Sequence, residues 1–213
     1  MCILVSPLSQ AKRLVASHAP ERIVSLLDPD ATFPEFGSDY AGRHLRLRLH
    51  DVHVATDTQA AATGKHIEDL LSFIAQWRRG APLLIHCRAG MGRSPAAAFI
   101  AVCFCNPGID ELLLARALRQ VSPNSRPNES LIGLADAALT RSGRMSAVIA
   151  ETGRGLPWPD VSEGSPFELP SAIRPNKALE PTADGAITLM STENITSSAS
   201  VTPRCAAVAQ LSR

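Results

Sequence analysis

The sequence predicts an α/β fold whose central, mostly parallel sheet of four to five strands is flanked by helices. Three observations carry that expectation. Four short apolar runs, "CILVS" (2–6), "RIVSLLD" (22–28), "HLRLRLHD" (44–51) and "PLLIHC" (82–87), alternate with segments of helical period. The fourth run is continuously apolar, as a strand covered on both faces is. The chain has 213 residues and is 45% hydrophobic, enough to bury a core.

Each element has a local reason. After the first strand, "SQAKRLVASHA" is helical, with Ser9 as its expected N-cap. The second strand closes in the turn-rich "DPDATFPEFGSD". The third alternates strictly, Leu45, Leu47 and Leu49 against Arg46, Arg48 and His50, and ends at Asp51. "VHVATDTQAAATG" reads as a loop. From Lys65 to Arg79, Ile67, Leu70, Leu71, Ile74 and Trp77 share one helical face, which Gly80 and Pro82 end. A buried, alanine-rich helix runs from Ser94 to about Cys105, with Pro95 in its first turn. "DELLLARALRQV" (110–121) is amphipathic, and Asn128 is placed to cap a further helix to Thr140. The folded domain is expected to span 1–150. Residues 151–213, rich in Pro, Ser, Thr and Gly, are expected to form a disordered tail.

Composition excludes several classes. With 21 basic and 20 acidic residues the chain has no excess positive field for nucleic acid. No apolar stretch is long enough to span a membrane. Five cysteines, without a C-x-x-C pair, argue against a disulfide framework. Without a secretory signal, a reducing cytoplasm is the expected compartment, and the sequon "NIT" (194–196) would go unused there.

The chemistry concentrates in "HCRAGMGRS" (86–94). A loop entering a helix presents unpaired N–H groups at the positive end of the helix dipole, which makes an anion site. Gly90 and Gly92 let the backbone curl so that successive amides converge, and Arg93 adds a planar fork suited to two phosphate oxygens. Such a cradle favours thiolate over thiol, so Cys87 at its base is a candidate nucleophile.

The stretch resembles the H-C-x5-R-S signature of the cysteine-dependent protein tyrosine phosphatases, in particular small bacterial tyrosine and dual-specificity members. The resemblance covers residues 1 to about 148, including "RIVSLL" and the "PN…LI…AD" pattern at 127–136. It implies that Cys87 forms a phospho-cysteine. The backbone of Arg88, Ala89, Gly90, Met91, Gly92 and Arg93 would hold the phosphate. Ser94 would assist thiolate departure, and His86 would support loop and thiolate through hydrogen bonds without acting as a base. It implies no cofactor and no metal. The expected substrate is phosphotyrosine in proteins, with dual specificity or a small phosphomonoester as variants; the oligomeric state is left open. Arg119 and Arg126 could lie near the pocket, although a solvated surface explains both.

The family also uses an aspartic acid upstream of the cysteine to protonate the leaving oxygen. Asp51, at the strand end, is the favoured candidate, and Asp57, inside the following loop, is the alternative. His50, Asp51 and His53 invite a metal reading, but on extended chain the two imidazoles would point to opposite faces. Three rivals remain for the loop. A non-catalytic phosphate-binding module would not need the thiol, and a phosphoinositide or nucleotide phosphatase would share the chemistry. A rhodanese-like sulfurtransferase has a shorter loop. A Walker-type nucleotide loop fails, because Cys87 stands where a glycine is needed and Arg93 replaces lysine. Cys103 and Cys105 are expected to be packing residues.

Overall fold

Strands that are apolar at every position need cover on both sides, and the chain supplies it unequally. The computed structural model describes residues 1–152 and 162–173. The elements are β1 (Cys2–Pro7), α1 (Leu8–His18), β2 (Arg22–Leu27), a short 3-10 turn (Ser38–Tyr40) and β3 (His44–Arg48). They continue with α2 (Gly64–Ala75), β4 (Leu83–Cys87), α3 (Arg93–Cys105), α4 (Glu111–Val121), α5 (Glu129–Ala138), α6 (Arg144–Glu151) and β5 (Phe167–Pro170). The sheet has the order β3-β2-β4-β1-β5. β1, β2, β3 and β4 run parallel, and β5 pairs antiparallel with β1.

Alternate residues of each strand feed two different layers. On one face Ile3, Val5, Val24, Leu26, Leu83, Ile85 and Cys87 pack under α2–α6 in the larger core. On the other, Cys2, Leu4, Ile23 and Leu84 pack against Leu14 of α1. Helix α3 is buried from Arg93 to Cys103, as expected of a helix apolar all round. Its alanines let it lie close to the sheet, and its N-terminus therefore sits at the carboxyl ends of β4 and β2. That is where open α/β sheets place ligands.

Several expectations need correction. The fold does not stop at 150: β5 joins the sheet, and Met1–Ile173 forms one unit. Phe167 and Leu169 are buried at the alternation a strand requires, but four residues, Phe167–Pro170, following Pro166 are too short to be read as one. Pro170 is tolerated because it ends an edge strand. Asn106, at the end of α3, holds this return with Nδ2 on the Ser171 carbonyl (2.9 Å) and Oδ1 taking the Ile173 N–H (3.0 Å). The rest of the expected tail, 153–161 and 174–213, lies outside the described residues, with its sequon and Cys205. Ser9 does not cap α1. Pro7 precedes the helix and the Ser9 hydroxyl donates to Glu163 instead. α2 ends at Ala75, yet Trp77 remains buried with its indole N–H on the Ala81 carbonyl (2.9 Å). α6, unread in the sequence, is eight residues whose Met145, Val148 and Ile149 face the core.

Candidate active site

β4 carries Cys87 to the top of the sheet, and α3 begins at Arg93. Between them the backbone carbonyls are turned outward. Arg88 O accepts from Leu8 N (3.1 Å), Ala89 O from Gly164 N (2.8 Å), Met91 O from Arg126 N (2.8 Å) and Gly92 O from Asn128 N (3.2 Å). With the carbonyls held outside, the amides line the inside. Gly90 N–H already donates to Cys87 Sγ (3.2 Å), while those of Ala89, Met91 and Gly92, outside any helix or strand, have no acceptor among the described residues. This is an anion nest at a helix N-terminus. Gly90 is required in it: φ is +74°, and a Cβ there would stand 2.7 Å from Pro7 N.

The sulfur is buried and shares a 3.1 Å hydrogen bond with Ser94 Oγ. Arg93 is also buried. Its Nη1 donates to Asp28 Oδ1 (2.8 Å) and to the Leu49 carbonyl (2.6 Å), which fixes the plane of the guanidinium. Its Nε, equally buried, meets no hydrogen-bond acceptor and lies 3.9 Å from Asp51 Oδ2. One edge of the fork is anchored and the other is left for an incoming oxyanion. Asp28 was not singled out in the sequence. The usable signal was its place directly after a buried strand, at the carboxyl edge of the sheet.

Asp51 stands over the loop. A Cβ added to Gly92 would fall 2.1 Å from Asp51 Oδ2, so the absent side chain of Gly92 is what leaves room for the carboxylate. Asn128 Nδ2 donates to Asp51 Oδ1 (2.8 Å), and its own Oδ1 caps α5 by accepting from Leu131 N (3.0 Å). Asn128 was expected only as a helix cap; its second bond had no sequence signal. Asp51, His53, Ala89, Met91, Gly92, Arg126 and Asn128 line a cavity of about 190 Å³. Asp57 is exposed and does not line it.

His86 departs from its expected contact. Adjacent strand residues project to opposite faces, so its imidazole lies on the α1 side and bonds Ser25 Oγ (2.6 Å), not the sulfur. Arg119 uses Nη1 to hold the carbonyls of Pro123 (2.9 Å) and Ser125 (2.8 Å), a structural role beside the loop. His50 Nδ1 takes the Ala60 N–H (2.9 Å), and the described residues contain no group of three ligands able to hold a metal ion. Burial pushes the Cys103 thiol strongly up and raises that of Cys105, as suits packing residues.

No protein-family model matches the chain, and no curated protein matches it. Solved structures do. The crystal structure of DUSP15 aligns with TM-score 0.48 and 18% identity, over 69% of this chain and 89% of that one. The Yvh1 phosphatase domain from Chaetomium thermophilum gives 0.47 and 20%, over 66% and 92%. PTPMT1 gives 0.47 and 15%, over 70% and 94%. Identities this low leave the activity to be reasoned from the site itself.

Proposed function

We propose that this chain is a cysteine-dependent phosphatase. In particular, we infer an enzyme that hydrolyses phosphotyrosine in proteins through a phospho-cysteine, without a metal. The observation that carries this is the meeting of four features at one point. They are a buried thiol bonded by Gly90 N–H and Ser94, inward amides without acceptors, the open Nε edge of Arg93, and the Asp51 carboxyl above them.

The phosphate oxygens of the substrate sit on the loop amides and Arg93. The Cys87 thiolate attacks phosphorus, the bond to the ester oxygen breaks, and Asp51 delivers its proton to that oxygen. The preorganised donors stabilise the charge of the transferring group without reorganisation. In the second step the Asp51 carboxylate takes a proton from water, which attacks phosphorus. The P–S bond breaks, and Ser94 and Gly90 N–H receive the thiolate. Ala89 and Met91 in the cavity wall give an aromatic ring an apolar surface, which favours an aryl phosphate.

The test is turnover of p-nitrophenyl phosphate by the full chain in EDTA, followed by phosphotyrosyl, phosphoseryl and phosphothreonyl peptides and phosphoinositide vesicles. We expect the aryl phosphate and phosphotyrosyl peptide to turn over, and Cys87→Ser to lose about 10⁴-fold or more. Activity retained by Cys87→Ser, or abolished by EDTA, defeats the mechanism. Preference for the vesicles moves the substrate from protein to lipid.

A further inference from the structure

We infer that Ser25 and His44 are positioning residues for the phosphate loop: one hydroxyl shared by two imidazoles holds His86 in a single tautomer directly behind Cys87. The activity arm of this inference rests on the phosphatase reading; the tautomer does not.

Ser25 is fully buried in β2 and in register with His86 of β4. Its Oγ is 2.6 Å from His86 Nε2 and 2.7 Å from Nε2 of His44, at the start of β3. A hydroxyl has one proton, and among the described residues the Ser25 hydroxyl has no other side-chain or backbone acceptor for it, so it donates to one of these nitrogens and accepts from the other. The two imidazoles therefore hold opposite states at Nε2. Both are neutral near pH 7. Burial lowers His44 to about 4, with Arg46 beside it adding to the effect. Burial likewise lowers His86 to about 4, His44 adding and the Cys87 backbone partly offsetting.

The direction of the relay follows from that last contact. The Cys87 backbone stabilises a proton on His86, and Nε2 faces Ser25, so the proton belongs on Nδ1. His86 Nε2 then accepts from Ser25, and His44 Nε2–H donates to Ser25. Nδ1 meets no partner at full hydrogen-bond geometry, which leaves the Ser25 bond as what orients the ring. Phe36 stands edge-on to both rings, 5.0 Å from His44 and 6.0 Å from His86, and shields the pair. On the other flank Ser6 of β1, in register with His86, presents a buried hydroxyl without a hydrogen-bond partner rather than a charge. The ring that the relay holds sits on the residue before the nucleophile, so its orientation bears on the backbone from which Sγ is aimed.

The experiment is imidazole ¹⁵N spectroscopy of the full chain at pH 7, with kinetics on p-nitrophenyl phosphate. Wild type should show His44 protonated at Nε2 and His86 at Nδ1. In Ser25→Ala, His86 should become a mixture of tautomers. Its kcat should fall about fivefold to tenfold, the worth of one hydrogen bond, with KM changed by less than about twofold. Ser25→Thr restores the hydroxyl and should recover both readouts. His44→Gln keeps a donor and should resemble wild type, whereas His44→Leu should resemble Ser25→Ala, so the inference stays testable even where Ser25→Ala fails to fold. It is overturned by equal Nε2 states in wild type, by an unchanged His86 tautomer in Ser25→Ala, or by equal kcat in the Gln and Leu variants. If wild type turns over no phosphomonoester, the phosphatase reading fails and the spectra still decide the tautomer.

Discussion

The loop that holds the phosphate and the loop that brings the acid are built on opposite principles. Residues 87–93 are tied down on their outer side by backbone bonds from α1, from the 162–166 segment and from the turn before α5. Residues 51–63 form a largely exposed stretch without helix or strand. Asp51 itself, with 40% of its side chain exposed, is held by Asn128 and the distant Arg93 Nε. A site that must stabilise a transition-state charge gains from rigidity, because donors already in place need no reorganisation. A group that gives a proton to the leaving group and takes one back from water in each turnover gains from exposure. The contrast predicts that perturbing the cradle harms both fold and chemistry, whereas perturbing the acid harms chemistry alone.

Among changes that leave the Cys87 thiol in place, the largest effect should come from Gly90→Ala. The left-handed backbone costs a side chain about 1–2 kcal/mol, and the added Cβ meets the backbone of Pro7, which cannot swing aside as a flexible side chain would. We expect a lower Tm and a loss of about 100-fold or more in kcat/KM, as when a preorganised donor is removed. A variant with wild-type Tm and activity would show that the cradle is not rigid, and the contrast would collapse.

Gly92→Ala sharpens it, because the two loops meet there. The backbone at Gly92 (φ −113°) suits any residue, so the cost falls on what the methyl displaces, the Asp51 carboxylate. Its kcat on an alkyl phosphate should fall by about 10²-fold, close to that of Asp51→Ala, with Asp57→Ala within about twofold of wild type. Competitive inhibition by inorganic phosphate should be nearly unchanged in all three. A loss in Asp57→Ala as large as in Asp51→Ala would move the acid to the exposed loop.

These residues also mark how far the sequence alone could be read. The strand–cysteine–glycine–arginine–helix order is contiguous, so the chemistry of 87–94 was legible before any fold was known. Asp51 was legible by its place at a strand end, although only its contacts with Gly92, Asn128 and Arg93 separate it from Asp57. Asp28, Ser25, His44 and the Asp51 bond of Asn128 were not, because each acts across the sheet or between loops distant in sequence. No local period records such pairings. β5 was hidden for another reason: it is a short edge strand preceded by one proline and ended by another, and composition outweighed a two-residue alternation.

The smallest and most selective effect should be at Asn128, which serves both sides of the comparison with one side chain. Asn128→Asp keeps the oxygen that caps α5, so Tm should change little. It loses the Nδ2 donor and sets a second carboxylate beside Asp51, so kcat should fall about tenfold. Asn128→Ala removes cap and donor together, and should cost about 1 kcal/mol of stability as well. Measuring Tm and kcat for the pair separates the two roles: the Asp variant should lose rate without stability, and the Ala variant both. If the Asp variant keeps its full rate, the hydrogen bond to Asp51 (2.8 Å) does not position the acid, and Asn128 is a helix cap alone.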